Sequence, residues 1–430
     1  MIRHDRPGAP EPDGARLPLH RRHPVALTVT ALVVLGGLLG PAALSTPTGG
    51  VPEASLRVGW GYLAMAPVAG VLDALSVLTL GQHYAFLGTL ILVYAGWRVL
   101  RRRTRGGWLR RTGIEIAVAV ASLLGLAAFY GYGMVGPRPM AELVPHHPDD
   151  VVVDVHSHTD ASHDAREGFG PEDNRAWHAA AGFDAVYVSD HRNWQGWRAA
   201  VPGNPARAGD GTSLLPALEI LWQGKYANAL GAPERYRAAV EGNRLIADSV
   251  YALWERGAPR PTLVLTIPEQ LDSVRPATAD SVGFVAIEVS DASPKGLRQS
   301  RRDRALILRM VDSLDLAPVA ASNNHGWGRT AAAWTLIRIP GWRERTPDAL
   351  NAAIEERLHS ERAGASRVVE RRSPYFGSSV PALALTAPAV LWQMFGGLGF
   401  GQRVAWLAWA WGLALVIARL GTPSQRTSGR

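Results

Sequence analysis

Long apolar stretches on both sides of a polar centre limit this chain more than any other feature. Pro24 to Leu44, Tyr84 to Leu100 and Ile114 to Val135 precede the centre, and Val380 to Phe400 and Val404 to Leu420 follow it. About 20 apolar residues suffice for one helical crossing of a bilayer. One stretch alone reads as a buried core helix, and the first alone, with the small residues of PAALS behind it, as a cleavable leader. The set as a whole predicts membrane helices flanking a soluble domain. Trp406, Trp409 and Trp411 suit a helix near the membrane interface. Val58 to Leu80 is weaker, because it carries Pro67 and Asp73. A charge at that depth is costly unless it faces protein, so this segment is expected to be re-entrant or interfacial.

Charge then sets the orientation. Seven arginines lie between Arg98 and Arg111, and Arg3, Arg6, Arg16, Arg21 and Arg22 mark the proline-rich first 23 residues. Basic flanks stay in the cytoplasm. Segment 114–135 then carries the chain outward. The expectation is an integral protein of a bacterial cell membrane with residues 137–375 outside the cytoplasm. Arg367, Arg371 and Arg372, just before the next apolar stretch, pull the other way. The expected division is a disordered tail at 1–23, membrane helices at 24–136, a soluble domain at 137–375, further membrane helices at 376–421 and a tail at 422–430.

The formal net charge of +8 comes almost wholly from arginine, Lys225 and Lys295 being the only lysines. No basic stripe interleaved with aromatics accompanies it in the soluble part, so nucleic acid is not an expected partner. Without cysteine the chain has neither disulfides nor thiolate ligands, and a metal site must draw on His, carboxylate or amide groups.

Within the soluble part, short β-branched runs alternate with helical patterns. Strands are expected at 151–155, 184–189, 214–220, 262–267, 283–289, 317–322 and 333–339, and helices at 171–181, 234–256, 301–314 and 347–361. Pro171, Glu172 and Asp173 suit a helix start, as do Thr346 as N-cap and Pro347 behind it. Such strand–helix units predict an α/β fold with a mostly parallel sheet, closed as a barrel or left open.

Polar groups recur where these strands end. His156 and His158 close VVVDVHSH, and alternate residues of a strand share a face, so the two imidazoles project together. Asp190 and His191 end DAVYVSDH, Glu219 lies in LLPALEI, and Asn323, Asn324 and His325 end APVAASNNH. In a parallel barrel the strand C-termini gather at the mouth that holds the active site. A lone histidine is usually structural, and His83, His178 and His359 are read that way. Histidines and a glutamate at successive strand ends predict a metal centre instead. Asp190 is placed to orient a ligand. Arg192 and Arg329, beside the ligand motifs, are phosphate-binding candidates or plain surface arginines. Glu288 and Asp291 line the mouth or buttress it. Trp194, Trp197 and Trp327 wall the site or pack its rim.

DVHSHTDASHD, YVSDHRN, LPALEI and SNNHGWG, in this order and spacing, resemble the motifs of the PHP (polymerase and histidinol phosphatase) family. The resemblance covers about 150–330 and none of the apolar stretches. It implies a distorted TIM-like (β/α)7 barrel, up to three divalent metals and phosphoester hydrolysis. By the same resemblance His156, His158, Glu219 and Asn323 hold one metal, Asn323 standing where the family has an aspartate. His163, His191 and His325 hold a second. A third position lacks its histidines: Tyr226 stands at one, and Pro268 and Glu269 at the other. One or two metals are therefore expected, and such ligands suit Zn, Mn or Fe.

The sequence thus predicts a membrane-anchored, metal-dependent phosphoesterase acting through metal-activated water on an envelope- or lipid-associated phosphate ester. The altered ligands support a second reading, a degenerate barrel that binds metal or a phosphorylated ligand as a sensor or scaffold without turnover. A third makes the membrane helices the working part, with Asp73 as an ion site.

Overall fold

The computed structural model describes residues 22–100, 108–222, 225–245, 261–267, 279 and 282–420. Its strands, in chain order, are β1 (Leu44–Ser45), β2 (Ala54–Arg57), β3 (Glu142–Pro145), β4 (Asp150–Ser157), β5 (Ala185–Val188), β6 (Ser213–Trp222) and β7 (Lys225–Leu230). There follow β8 (Val240–Glu241), β9 (Arg244–Leu245), β10 (Thr262–Leu265), β11 (Phe284–Asp291), β12 (Ala317–Ala321), β13 (Ala333–Arg338) and β14 (Ser366–Arg371). Ten of them form one sheet in the order β1-β14-β13-β4-β5-β6-β7-β10-β11-β12, and β2–β3 and β8–β9 are separate ribbons.

The sheet is mixed, not mostly parallel. β4–β5–β6 and β10–β11–β12 run parallel, whereas β7 and β13 are antiparallel to both neighbours. The sequence pattern misses β7 and β14 because KYANAL and SRVVER are broken by Lys225, Asn228, Arg367 and Glu370 and lack the unbroken apolar run of a buried strand. The expected helix at 301–314 is two, Pro294–Arg302 and Arg304–Leu314, joined at Asp303. Of the expected 234–256 helix, Pro233–Ala239 is a 3-10 segment followed by the β8–β9 ribbon, and 246–256 lies outside the described residues, as do Pro268 and Glu269.

β4 explains why the centre of the domain is where it is. Val151, Val153 and Val155 enter one core with Val319, Ile337 and Ile354, while Val152 enters another with Val186, Trp334 and Leu336. A strand covered on both faces needs apolar residues at consecutive positions, and each buried valine stabilises the fold by ~1.5–3 kcal/mol. The sheet curls until the turn after β12 meets the end of β4. Asn323 N–H donates to the His156 carbonyl at 2.9 Å, and His158 N–H to the Asn324 carbonyl at 2.9 Å.

Among the described residues, Leu80–Leu100, Thr112–Val135 and Phe400–Leu420 are long and apolar enough to cross a membrane; Pro24–Leu39 is shorter. The expected crossing at 380–400 is not one helix. Val380–Ala384 and Thr386–Gly396 are separate, broken where Pro381, Pro388, Gly396, Gly397 and Gly399 weaken a continuous helix. Trp60–Ala64 and Ala66–Ser76 have the same construction. The whole series recurs at a constant offset, Trp60 to Val380, Ala66 to Thr386 and Leu80 to Phe400, with matching ends. Each long helix starts with the same device: Gln82 Oε1 accepts Thr79 N–H at 3.0 Å, and Gln402 Oε1 accepts Gly399 N–H at 2.8 Å. The two copies pack reciprocally, a β-carbon on Gly81 lying 3.8 Å from Leu383 and one on Gly401 3.5 Å from Leu63. Such i-to-j and j-to-i pairing is the mark of a two-fold arrangement.

Asp73 faces protein. Its buried carboxylate accepts from Tyr62 Oη (2.9 Å), Arg138 Nη1 (2.7 Å) and Thr330 Oγ1 (2.8 Å), and Arg371 Nη2 stands 3.3 Å away. These partners belong to the soluble domain, the approach to it and the preceding helix. That accounts for a carboxylate in an apolar segment without an ion pathway.

Candidate metal centre

Asp154 staples the end of β4. Its Oδ1 accepts the backbone N–H of His156 (3.2 Å) and of Ser322 (3.0 Å), and its Oδ2 lies 2.8 Å from His178 Nε2. His178 also bonds the Asn174 carbonyl at 2.8 Å, so it is a structural histidine. His83 against Tyr130 Oη and His359 against Thr262 Oγ1 are equally remote from the centre.

Beyond this staple His156 and His158 turn their Nε2 atoms toward each other, 3.0 Å apart. Glu219, from β6, stands 3.5 Å from the first and 3.7 Å from the second. Two ligands bound to one metal at ~2.1 Å stand ~3.0–3.4 Å apart, so the pair fits a shared cation. Donor accounting gives the tautomers. Ser162 Oγ–H donates to Asp190 Oδ1 (2.9 Å), so the same oxygen accepts from His158 Nδ1–H (3.0 Å), leaving Nε2 with its lone pair. His156 Nδ1 faces Glu288 Oε1 at 2.8 Å. His325 Nδ1–H donates to the Asn323 carbonyl (2.9 Å), which frees its Nε2 for the centre.

Among the described residues, three groups bring ligand atoms within 4.8 Å of one another: His156, His158 and Glu219; His158, His191 and His325; and His163, Asp164 and His191. His158 therefore joins two of them. The second expected set, His163, His191 and His325, is split between the last two groups. His163 is exposed and its ring lies 5.0 Å from that of His191. Asp164, overlooked inside DASHD, bridges the groups, 3.3 Å from His191 Nε2 and 3.4 Å from His325 Nε2. Asn323 stands at the mouth with φ +44; its Nδ2 donates to Asp291 Oδ2 at 3.2 Å, and its Oδ1 is buried without a partner.

The electrostatics suit a cation. Burial opposes a charge on His156, but Glu219 and Glu288 outweigh it and lift its pKa well above the usual value. Burial and the neighbouring His325 and His156 press His158 well below. Without metal, the His156 proton thus lies between the two Nε2 atoms, and a metal binding there must displace it. Burial pushes against ionisation of Glu219, yet His156, His191 and His158 hold it well below the usual carboxylate range. Burial raises Glu288 to about 7, and it raises Asp291 in the same direction.

Asp190 does not touch a histidine ring. It is fully buried and accepts Thr159 N–H (2.7 Å), Thr159 Oγ–H (2.7 Å) and Ser162 Oγ–H, acting on His158 through Ser162. Burial raises its pKa to about 6 against those bonds. Gly196 packs against it so closely that a β-carbon would strike the carboxylate and Thr159 Oγ1.

The centre opens into a cleft of about 1060 Å³. Neither Arg192 nor Arg329 lines it. Arg329 Nε–H is held by the Arg138 carbonyl at 2.8 Å, and the Arg192 main chain, at φ +52, bonds the Glu219 carbonyl. Among the described residues, the lysine or arginine that lines the cleft is Lys295, on the first turn of Pro294–Arg302. A lysine outside a histidine motif carries no signal in the sequence. Of the three tryptophans expected near the site, Trp327 lines the cleft, as does Trp177; Trp194 is core, stacked on Tyr236, and Trp197 packs against the core.

No family model and no curated protein matches this chain. Among solved structures, PsfC from Pseudomonas syringae is similar over 57% of this chain and 98% of its own, at 15% identity and a TM-score of 0.36. A two-domain protein from Bacteroides vulgatus, described as containing a PHP-like metal-dependent phosphoesterase, aligns over 50% of this chain and 63% of its own (16% identity, TM-score 0.33). The lesion-specific endonuclease EndoQ from Pyrococcus furiosus aligns over 53% and 60% (12% identity, TM-score 0.36).

Proposed function

We propose that this chain is a membrane-anchored, metal-dependent phosphoesterase whose curled sheet is a distorted (β/α)7 barrel. The observation that carries the reading is the joining of His156, His158, Glu219, His191 and His325 around His158 at the floor of one cleft. The orphaned Asn323 Oδ1 tests the fit: it is a buried acceptor beside the ligands, and a cation supplies the partner it lacks. His156, His158, Glu219 and Asn323 would hold one divalent metal; His191 and His325, with His163 or Asp164, a second. Zn, Mn and Fe all suit such donors. Bound there, the metal would polarise a phosphoryl oxygen and activate water.

The chain's own residues complete the site. Asp190 and Ser162 hold the His158 tautomer. Lys295 and the start of its helix place positive charge toward the substrate phosphate. Asp291, hydrogen-bonded to Asn323, supplies the carboxylate that position 323 lacks. Orientation follows from charge: Arg22, Arg98 and Arg419 flank helices that run away from the domain, and basic flanks favour the cytoplasm, leaving the cleft outside.

The test uses the full chain in detergent, because the membrane helices contribute to the cleft. Elemental analysis should find bound divalent metal, and hydrolysis of a generic phosphoester should depend on added Mn or Zn. His191→Ala should abolish turnover. Bound metal without turnover in both proteins supports binding alone, the reading that Tyr226 and Asn323 favour. Absence of metal sinks both.

A further inference from the structure

We infer that the substrate is a phospholipid-type amphiphile, its phosphate held at the metal centre and its apolar end left toward the bilayer. The inference rests on the phosphoesterase reading and deepens it. Its basis is that the cleft is not made by the soluble domain alone. Met134, in the last turn of the membrane helix Thr112–Val135, lines it. The Met134 carbonyl accepts Gly328 N–H at 2.7 Å, and the Gly328 carbonyl accepts Trp177 Nε1–H at 3.0 Å.

The short loop after β12 therefore runs from a candidate ligand to the membrane helix. It starts at His325, passes Trp327 and Gly328, and ends at Thr330, which Asp73 and Arg138 hold. The lining of the cleft is of two kinds. His191, Glu219, Asp291 and Lys295 carry charge or ligand atoms. Met134, 51% exposed, and Trp327, 47% exposed, are apolar and belong to the membrane helix and to the loop bonded to it. Single exposed apolar residues need no explanation. An exposed tryptophan next to the end of a bilayer-crossing helix stands where aromatic side chains meet the lipid headgroups. A cleft lined by ligand groups and also by apolar residues on or next to the membrane helix matches a ligand with a phosphate head and a hydrocarbon tail. A small soluble ester would use only the charged lining.

The full chain, loaded with Mn, is assayed on vesicles doped with phosphatidic acid or phosphatidylglycerol, and on glycerol 3-phosphate or glycerophosphoglycerol, the respective heads without tails. Binding energy from a remote tail raises kcat/KM, so a lipid should exceed the soluble ester at least ~100-fold. Trp327→Ala should lower that ratio by about tenfold. A second readout does not need turnover. A lipid of the same two headgroups with a photoreactive group near the glycerol should label 326–330 and the last turn of 112–135. Equal rates on the lipids and the soluble ester overturn the inference and leave the phosphoesterase reading intact. So does labelling spread along the membrane helices with none at 326–330. Specific labelling without hydrolysis of any ester supports the lipid site and defeats the phosphoesterase reading.

Discussion

Replacing Asp73 by alanine should loosen the loop that carries His325, although the two residues belong to different parts of the chain. The Arg138 side chain is wholly buried, and Asp73 is its anionic partner at 2.7 Å. Removing one member of a buried pair leaves the other charge without compensation, at a cost of about 3–5 kcal/mol. Thr330 loses an acceptor in the same change. If the cost is felt as local opening of 326–331, amide exchange there should rise roughly 100- to 3000-fold, since ~1.4 kcal/mol is a factor of ten. Hydrogen-exchange mass spectrometry of the full chain in detergent reads this directly. Arg138→Met in the same chain should recover much of the loss, because the uncompensated charge goes with it. Exchange within ~3-fold of wild type in Asp73→Ala, or a double variant as loose as the two singles added, would falsify the clamp.

Asp190→Asn keeps the shape but disturbs the acceptor that orders Ser162 and the His158 tautomer; metal affinity by calorimetry should fall ~10–100-fold, and an unchanged affinity defeats the relay. Asp184, whose carboxylate takes Val152 N–H at 2.8 Å, is raised by burial to about 7. Its folded form keeps a proton that the unfolded chain releases near pH ~4, so it favours folding below that pH and loses this as pH rises through about 7. Because the residue is partly exposed, a contribution of about 2–4 kcal/mol is expected, and denaturation midpoints of Asp184→Asn should fall less between pH 5 and 8 than those of wild type. The cysteine-free chain suits labelling with a membrane-impermeant maleimide: in intact cells Ser360→Cys should react and Ser424→Cys should not, and the reverse pattern overturns the orientation.

Much of the centre was legible because strand-end chemistry is local. His156 and His158 share a face by period, and Asp190–His191 and Asn323–His325 close apolar runs that a reader can count. What stayed hidden depends on how strands curl toward one another. Asp164 gains its place only when the loop after β4 folds back under His325. Asp291 matters only because β11 lies next to β12, so that its carboxylate meets Asn323 Nδ2. Lys295 counts because a helix starts at the cleft. Arg192 and Arg329 stand outside the cleft lining for the same reason in reverse: adjacency in sequence to a ligand motif does not carry a side chain into the cleft.

The duplication of the apolar helices is legible in the sequence as the repeated Gly-Gln of Gly81–Gln82 and Gly401–Gln402 behind a proline-containing apolar stretch. Each copy is a broken helix followed by a long one, and neither copy buries its apolar face alone. One copy precedes the soluble domain and the other follows it, so their reciprocal packing forces both ends of the domain to the same side. β1 and β14, which pair next to the two copies, hold that junction shut. Asp73 of the first copy then reaches both Arg371 at the end of β14 and Thr330 in the loop beyond His325. The domain is consequently tied to the apolar helices through both of its ends and through the loop of its own cleft. A tether by a single helix would leave the cleft free to face any direction, whereas this triple attachment fixes its mouth beside the end of Thr112–Val135.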